Sequence, residues 1–195
     1  MTGMARSLLA IALAASTLGT TGCAAHPKPS QIPPPAAASD TLNLTLPRFD
    51  PDVMAVCDPP IGWIARPLRT APNNVHQVWR SPTGDTAYGV VHFRMPLPVG
   101  GGLALSGFLA QMKKTEGTSK LLDRQDDPNL PGIRFVAEGT LHTLRANLIL
   151  DGWEGWAVYA GTLRSRPINQ KELDRAIAAR EHTRVGKPHD SSLQP

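Results

Sequence analysis

The sequence predicts an α+β domain in which an antiparallel β-sheet of about six strands is covered by helices on both faces. Six segments rich in branched and aromatic residues are typical of strands. Several connections between them are short, whereas a parallel crossover needs a dozen or more residues. Two of these strands carry apolar side chains at both odd and even positions, so both of their faces need cover. Two segments with helical periodicity can cover the two faces of the sheet.

The predicted strands are separated by turn signals such as Pro82-Thr83-Gly84-Asp85. They span residues 61–69, 75–80, 87–93, 133–139, 141–150 and 155–163. Successive side chains of a strand point to opposite faces, so neighbours such as Val90 and Val91, or Val158 and Tyr159, place apolar groups on both. Both sheet faces are therefore expected to be covered.

The first helix is predicted from an apolar stripe at helical spacing, formed by Leu105, Phe108, Leu109 and Met112. Ser106 is a candidate N-cap and Gly117 a candidate stop.

The second helix has a clearer start. Asn169 is a good N-cap, and Glu172, three residues later, can reach back to the cap amide. Ile168 can staple against Leu173. Arg180 follows on the buried face, where we expect its stem to cover apolar surface while its head reaches water.

The N-terminus predicts export. Arg6 precedes a short apolar run at residues 8–15, too short to span a bilayer as a mature helix. The following Leu18-Gly19-Thr20-Thr21-Gly22-Cys23 resembles a bacterial lipoprotein lipobox, which implies a signal peptide over residues 1–22 and lipidation of Cys23. Ordinary cleavage after Ala24 or Ala25, or an uncleaved anchor, are the alternatives.

Three further segments follow. Residues 23–47 are rich in proline and alanine and predict an extended stalk, or a tail with no spacing role. Residues 48–186 have the size of a single domain, and the polar residues 187–195 predict a disordered tail.

Cysteine and charge exclude some classes of function. With Cys23 lipidated, only Cys57 remains, and we interpret it as a small buried hydrophobe; a Cys23–Cys57 disulfide is the alternative. The formal net charge is +4, but the arginines are scattered with no aromatic-interleaved basic stripe, so nucleic acid is not an expected partner.

Three short motifs resemble the PsbP-like group, which includes the extrinsic subunit of photosystem II and the bacterial DcrB-like lipoproteins. They are Pro60-Ile61-Gly62-Trp63, Gly155-Trp156-Ala157-Val158-Tyr159 and Asn169-Gln170-Lys171-Glu172-Leu173. The resemblance implies an α/β/α sandwich and a non-catalytic, partner-binding role. No metal or partner contact of that group matches a residue here.

Catalytic patterns are weak. Gly100-Gly101-Gly102 lacks the Lys-Ser/Thr of a phosphate loop and is interpreted as a flexible connection. The acidic residues Asp123, Asp126 and Asp127 lack the remaining ligands of a calcium loop and predict a solvated turn. Asp151 and Glu154 are expected to be exposed in a turn. The sequence therefore predicts no catalytic residue and no cofactor.

Two other sets of residues are candidate sites. His76, His92 and His142 lie on predicted strands and would bind a metal only if they converged, so no metal site is predicted. Trp153 and Trp156 are three positions apart and would point to opposite faces of an uninterrupted strand, which predicts that one lines a groove for a partner.

The sequence thus predicts an exported lipoprotein, anchored by lipid at Cys23 in the cell membrane or outer membrane and facing the periplasm or exterior. Its domain is predicted to be a non-catalytic accessory module that binds an unidentified envelope protein. A small-ligand or metal-binding lipoprotein is the first alternative, and an envelope hydrolase the second.

Overall fold

A computed structural model describes residues 48–127 and 132–186. The predicted signal peptide, stalk and tail, together with Cys23, lie outside the described residues. Within them the strands are β1 (Arg48–Asp50), β2 (Ala55–Cys57), β3 (Ile64–Ala65), β4 (Arg69–Ala71), β5 (Asn74–Arg80), β6 (Thr86–Arg94), β7 (Lys120–Asp127), β8 (Gly132–Glu138), β9 (His142–Asp151), β10 (Glu154–Leu163) and β11 (Arg184–Val185). The helices are α1 (Gly101–Glu116), between β6 and β7, and α2 (Gln170–His182), between β10 and β11.

The described strands form two sheets. The main sheet has eight strands in the order β3-β5-β6-β10-β9-β8-β7, with β4 also paired to β5, and the small sheet has the order β1-β2-β11. Every pairing is antiparallel. The α+β class and the antiparallel sheet are confirmed, whereas the predicted count of about six strands is too low.

Each face of the main sheet carries one helix. The α1 face is apolar around Val91, Phe93 and Phe135, against which Phe108 and Met112 of α1 pack. The α2 face carries Tyr88, Val90, Trp156, Val158 and Ala160. Helix α2, strand β2 and the turn before β2 pack against it through Leu173, Ala176, Ala179, Val53, Ala55 and Cys57. The expectation from Val90 and Val91 that both faces are covered is therefore confirmed.

The extra strands have local causes. The predicted strand 61–69 is broken near Pro67. In its place two short strands, β3 and β4, pair with β5. Strand β7 contains Asp123 and Asp126, which the sequence placed in a solvated turn. That prediction is wrong, because these residues belong to an edge strand paired with β8, whose outer side faces water and tolerates acidic side chains.

Helix α1 starts earlier than its apolar stripe indicated. Gly100 is the N-cap residue, and Ser106 lies inside the helix with its hydroxyl donating to the carbonyl of Gly102. Gly117 ends the helix at φ 80°, a conformation that glycine adopts readily, as predicted.

Helix α2 has the predicted cap, since the amide of Glu172 donates to Asn169 Oδ1 over 3.3 Å. The other two contacts predicted for this helix start, from Glu172 back to the cap amide and from Ile168 to Leu173, do not form. The Glu172 carboxylate accepts from the Thr83 hydroxyl at 2.7 Å, and Ile168 is exposed rather than packed on Leu173. The side chain of Arg180 is only 12% exposed, so its head does not reach into water as expected. Neither helix, within the part of the chain that is described, is long and apolar enough to cross a membrane.

Candidate functional site

His76 lies on β5 and faces the α1 side of the sheet. Its Nε2 and the hydroxyl of Tyr159 on β10 are 2.7 Å apart, although strand β6 runs between them. Burial, and to a lesser degree the positive charge of Arg69, lowers the pKa of His76 to about 4. The imidazole is therefore neutral at physiological pH, and burial also raises the pKa of Tyr159.

A glycine makes this contact across β6 possible. Gly89 is directly opposite Tyr159, and a Cβ at that position would lie 2.4 Å from the Tyr159 ring. Since real side chains do not approach so closely, the ring can cross β6 only over a residue without a side chain. The pattern of apolar residues in β6 and β10 contains no signal for this, because it depends on the register of two strands.

His92 lies on the opposite face and has different partners. Its Nε2 donates to the carboxylate of Glu154 over 2.8 Å, and its ring stacks on Trp156 at a centroid distance of 5.2 Å. Glu154 is thus mostly buried and paired, whereas the sequence placed it in an exposed turn. Asp151, its cross-strand neighbour, is exposed as expected.

His142 lies at the far end of the sheet. Its Nδ1 donates to Glu116 at the end of α1 over 2.8 Å, and the backbone amides of Leu141 and His142 donate to the same carboxylate. Glu116 therefore fastens the end of α1 to the β8–β9 turn. Gly139 leaves room for this carboxylate, since a Cβ at position 139 would lie 2.0 Å from Glu116 Oε2.

The three histidines do not come together, since each is bound to a different acceptor or donor in a different part of the fold. No group of three or more His, Cys, Asp or Glu residues that could hold a metal occurs in residues 48–127 and 132–186.

The glycine run Gly100-Gly101-Gly102 borders an open cleft of about 480 Å³. The cleft is lined by Val99, Gly101, Gly102, Arg124, Asp126, Gly132, Ile133 and Leu150. Arg124 and Asp126 form an ion pair of 3.0 Å with each other. The charges that line the cleft are therefore mutually neutralised, which leaves no excess charge for a ligand.

The two candidate tryptophans have unlike surroundings. Trp156 is 1% exposed and its indole N–H donates to the carbonyl of Val53, so it is part of the core and lines no groove. Trp153 lies in the β9–β10 turn and is 50% exposed. Its carbonyl accepts from the amide of Met95 at 2.7 Å, and Leu97, two residues further along, is also exposed. We refer to Trp153 and Leu97 as the hairpin tip.

Cys57 is buried between the two sheets, where burial raises the pKa of its thiol to about 12. The thiol therefore stays protonated and poorly reactive, in agreement with the interpretation of Cys57 as a small buried hydrophobe.

A polar cluster that the sequence did not reveal lies on the α2 face over β8 and β9. Arg134 of β8 is directly opposite Asn147 of β9, and Arg145 lies two residues from Asn147 on the same face. Arg180 of α2 and Arg134 both donate to the carboxylate of Glu181. We call Arg134, Arg145, Asn147, Arg180 and Glu181 the arginine groove.

Comparison with known proteins identifies the fold. No family model matches the chain, and no curated protein matches it. The solution structure of cyanobacterial PsbP (CyanoP) from Synechocystis superposes with a TM-score of 0.51 at 12% identity, over 71% of this chain and 91% of that one. A crystal structure from Bacteroides thetaiotaomicron matches with a TM-score of 0.40 at 13% identity, over 73% of this chain and 49% of that one. The chain has a PsbP-like fold, as its three short motifs indicated.

Proposed function

We propose that the chain is a cell-envelope lipoprotein, held in a membrane by lipid on Cys23, whose PsbP-like domain binds an envelope protein and catalyses no reaction. The lipobox-like sequence before Cys23 supports the anchor. The fold supports the accessory role, because the resemblance to the PsbP-like group implies partner binding rather than chemistry.

The observation that carries the accessory role is the use of the histidines. His76 joins β5 to β10 through Tyr159, and His142 joins the β8–β9 turn to α1 through Glu116. His92 stacks on the core residue Trp156 while bound to Glu154. Each imidazole thus holds two elements of the fold together, which is a structural use of the residues best suited to acid–base chemistry.

The hairpin tip is the surface we assign to the protein partner. Trp153 and Leu97 are both exposed, and the hydrogen bond between Met95 and Trp153 ties the two segments together. Tryptophan is enriched among the residues that dominate binding energy at protein interfaces. A half-exposed tryptophan on a hydrogen-bonded turn is well placed for such a contact, because little conformational entropy is lost when it docks.

The anchor is tested by Cys23→Ser. We expect the variant to move from the membrane fraction to the soluble fraction, because the substitution removes the thiol that accepts the lipid. Cys57→Ser is the matched control and should leave the protein in the membrane fraction. A Cys23→Ser protein that stays membrane-bound would contradict the lipoprotein assignment.

The partner surface is tested by photo-cross-linking in cells. A photoreactive aromatic amino acid at position 153 should give discrete adducts of higher mass. The same group at Leu141 is the control, since Leu141 is also exposed but precedes β9, which is ten residues long and separates the two positions by about 33 Å. Identical adduct patterns at both positions, or none at 153, would count against the hairpin tip.

The absence of catalysis is tested by His92→Gln and Glu154→Gln. Both should complement a deletion strain with a measurable envelope phenotype, provided that the variants are folded and abundant. Failure of either one under those conditions would reveal a chemical role.

A further inference from the structure

The arginine groove lies where the cover of the α2 face ends. Helix α2 packs mainly on β6 and β10, so the side chains of β8 and β9 that point to this face meet the flank of α2 rather than its buried stripe. Arg134 and Arg145 come from β8 and β9, and Arg180 comes from α2. The 3.2 Å contact between Arg134 Nη2 and Glu181 Oε2 shows that the two sides of the groove touch.

The groove carries an excess of positive charge. Arg134 and Arg180 share one carboxylate, that of Glu181, and Arg145 forms no ion pair within residues 48–127 and 132–186. Glu138, which points to this face from β8, pairs with a different arginine, Arg164, over 3.3 Å. Because guanidinium groups are costly to bury without counter-charge, the groove favours an anion.

Two of the arginines also have unused donors. Arg145 Nη1 and Arg180 Nε are buried and have no hydrogen-bond partner among residues 48–127 and 132–186. A buried donor without a partner costs free energy, and a tetrahedral oxyanion has enough oxygens to serve both groups. The two donors are therefore suited to an oxyanion.

Asn147 narrows the choice of anion. Its side chain is buried, and its Oδ1 is an acceptor without a partner within the described segments. A carboxylate or sulfate ion has no proton to donate to this oxygen at neutral pH. Hydrogen phosphate has charged oxygens that can accept from the guanidinium groups and one P–OH that can donate to Asn147.

We propose that the arginine groove is a binding site for inorganic phosphate, held by Arg145 and Arg180 and recognised through its hydroxyl by Asn147. The site is separate from the hairpin tip and goes beyond the proposed role as a partner-binding lipoprotein. It requires no reaction of the bound ion.

The test is a titration of the purified full chain with inorganic phosphate and, separately, with sulfate, followed by isothermal calorimetry. We expect saturable phosphate binding that is about tenfold tighter than sulfate binding, because sulfate leaves the Asn147 acceptor unpaired. Arg145→Gln should weaken phosphate binding about tenfold or more, because it removes a charge-assisted donor.

Arg175→Gln is the matched control. Arg175 is exposed on α2 and is not part of the groove, so this variant loses the same charge and should bind phosphate within about twofold of the wild type. Arg145→Lys keeps the charge without the planar fork and should fall between the wild type and Arg145→Gln. The urea midpoint of each variant verifies that the domain is folded.

Three results would overturn the proposal. Lack of saturable phosphate binding by the folded wild-type protein would remove the site. An equal loss of phosphate affinity in Arg145→Gln and Arg175→Gln would mean that phosphate responds only to the net charge of the protein. Equal affinity for sulfate and phosphate would remove the role of Asn147. Trp153→Ala should bind phosphate normally, so failure of the site and failure of the proposed partner surface are distinguishable.

Discussion

Strands β10 and β8 belong to the same sheet but are buried in different ways. In β10 every residue from Gly155 to Thr162 is buried, whereas in β8 buried and half-buried residues alternate from Gly132 to Glu138. The cause is the position of the helices. The α1 side of both strands belongs to one apolar core, but α2 packs on β10 and β6 and leaves β8 at its flank.

This difference shows how one helix on each face limits what a wide sheet can bury. A helix with its side chains is about 10 Å wide, and strands are spaced by about 4.8 Å, so one helix covers roughly two strands. Strands beyond this width need another cover or polar side chains. On the α2 face the small sheet supplies some of that cover, and the remainder is the arginine groove.

The sharpest test of the comparison uses two valines that point to the α2 face. Val158→Asp in β10 should cost more than about 4 kcal/mol of unfolding free energy, because the carboxylate is buried without a partner. Val136→Asp in β8 should cost less than about 1 kcal/mol, because residue 136 is half-buried and directly opposite Arg145. Urea unfolding measures both, and equal costs would mean that β8 is covered as fully as β10.

A second test removes the docking of α2 without changing the sheet. Leu173→Ala should cost about 2 to 5 kcal/mol through the cavity left in the core, and Asn169→Ala about 1 kcal/mol through the lost cap. The ordering of the urea midpoints is the critical result. Small, equal effects would show that α2 is not packed on β6 and β10.

The third test concerns His76, which is buried on the α1 face. An unfolded histidine binds a proton below pH 6.5, but folded His76 does so only near pH 4, so the unfolded state holds more protons between these values. Stability should therefore be highest above pH 6.5 and fall by up to about 3 kcal/mol as the pH drops to 4. In His76→Gln this part of the pH dependence should vanish. If the unfolding free energy of the variant changes with pH as that of the wild type does, His76 is solvated in the folded protein.

The smallest expected effect is on the hairpin tip. Trp153→Ala should change the unfolding free energy by less than about 0.5 kcal/mol, because the side chain packs on little of the core. The same variant should lose the partner that cross-links at position 153. A large loss of stability would place Trp153 in the core and remove it from the proposed interface.

Periodicity was enough to predict the elements that are buried on a regular pattern. The strands around Val90 and Val158 and the Asn169 cap of α2 follow from local residues alone. Strand β7 could not be found in the same way, since its pairing with β8 outweighs the low strand propensity of its acidic residues.

The candidate sites show the same limit more strongly. Arg180 is far from Arg134 and Arg145 in the sequence, and only the β8–β9 register and the position of α2 place the three on one face. The contact of His76 with Tyr159 likewise depends on a glycine in an intervening strand. Such arrangements come from tertiary register, about which a single sequence contains little information.

The small sheet has a mechanical consequence. Strands β1 and β11 both pair with β2, with Arg48 opposite Cys57 and Val185 opposite Ala55, so the described domain begins at one end of β2 and ends at the other. Tension applied at residue 48 would act on the open end of the β1–β2 hairpin and separate its three residue pairs one after another. Strand β1 would yield first and lengthen the chain by about 10 Å, before the longer pairings of the main sheet separate.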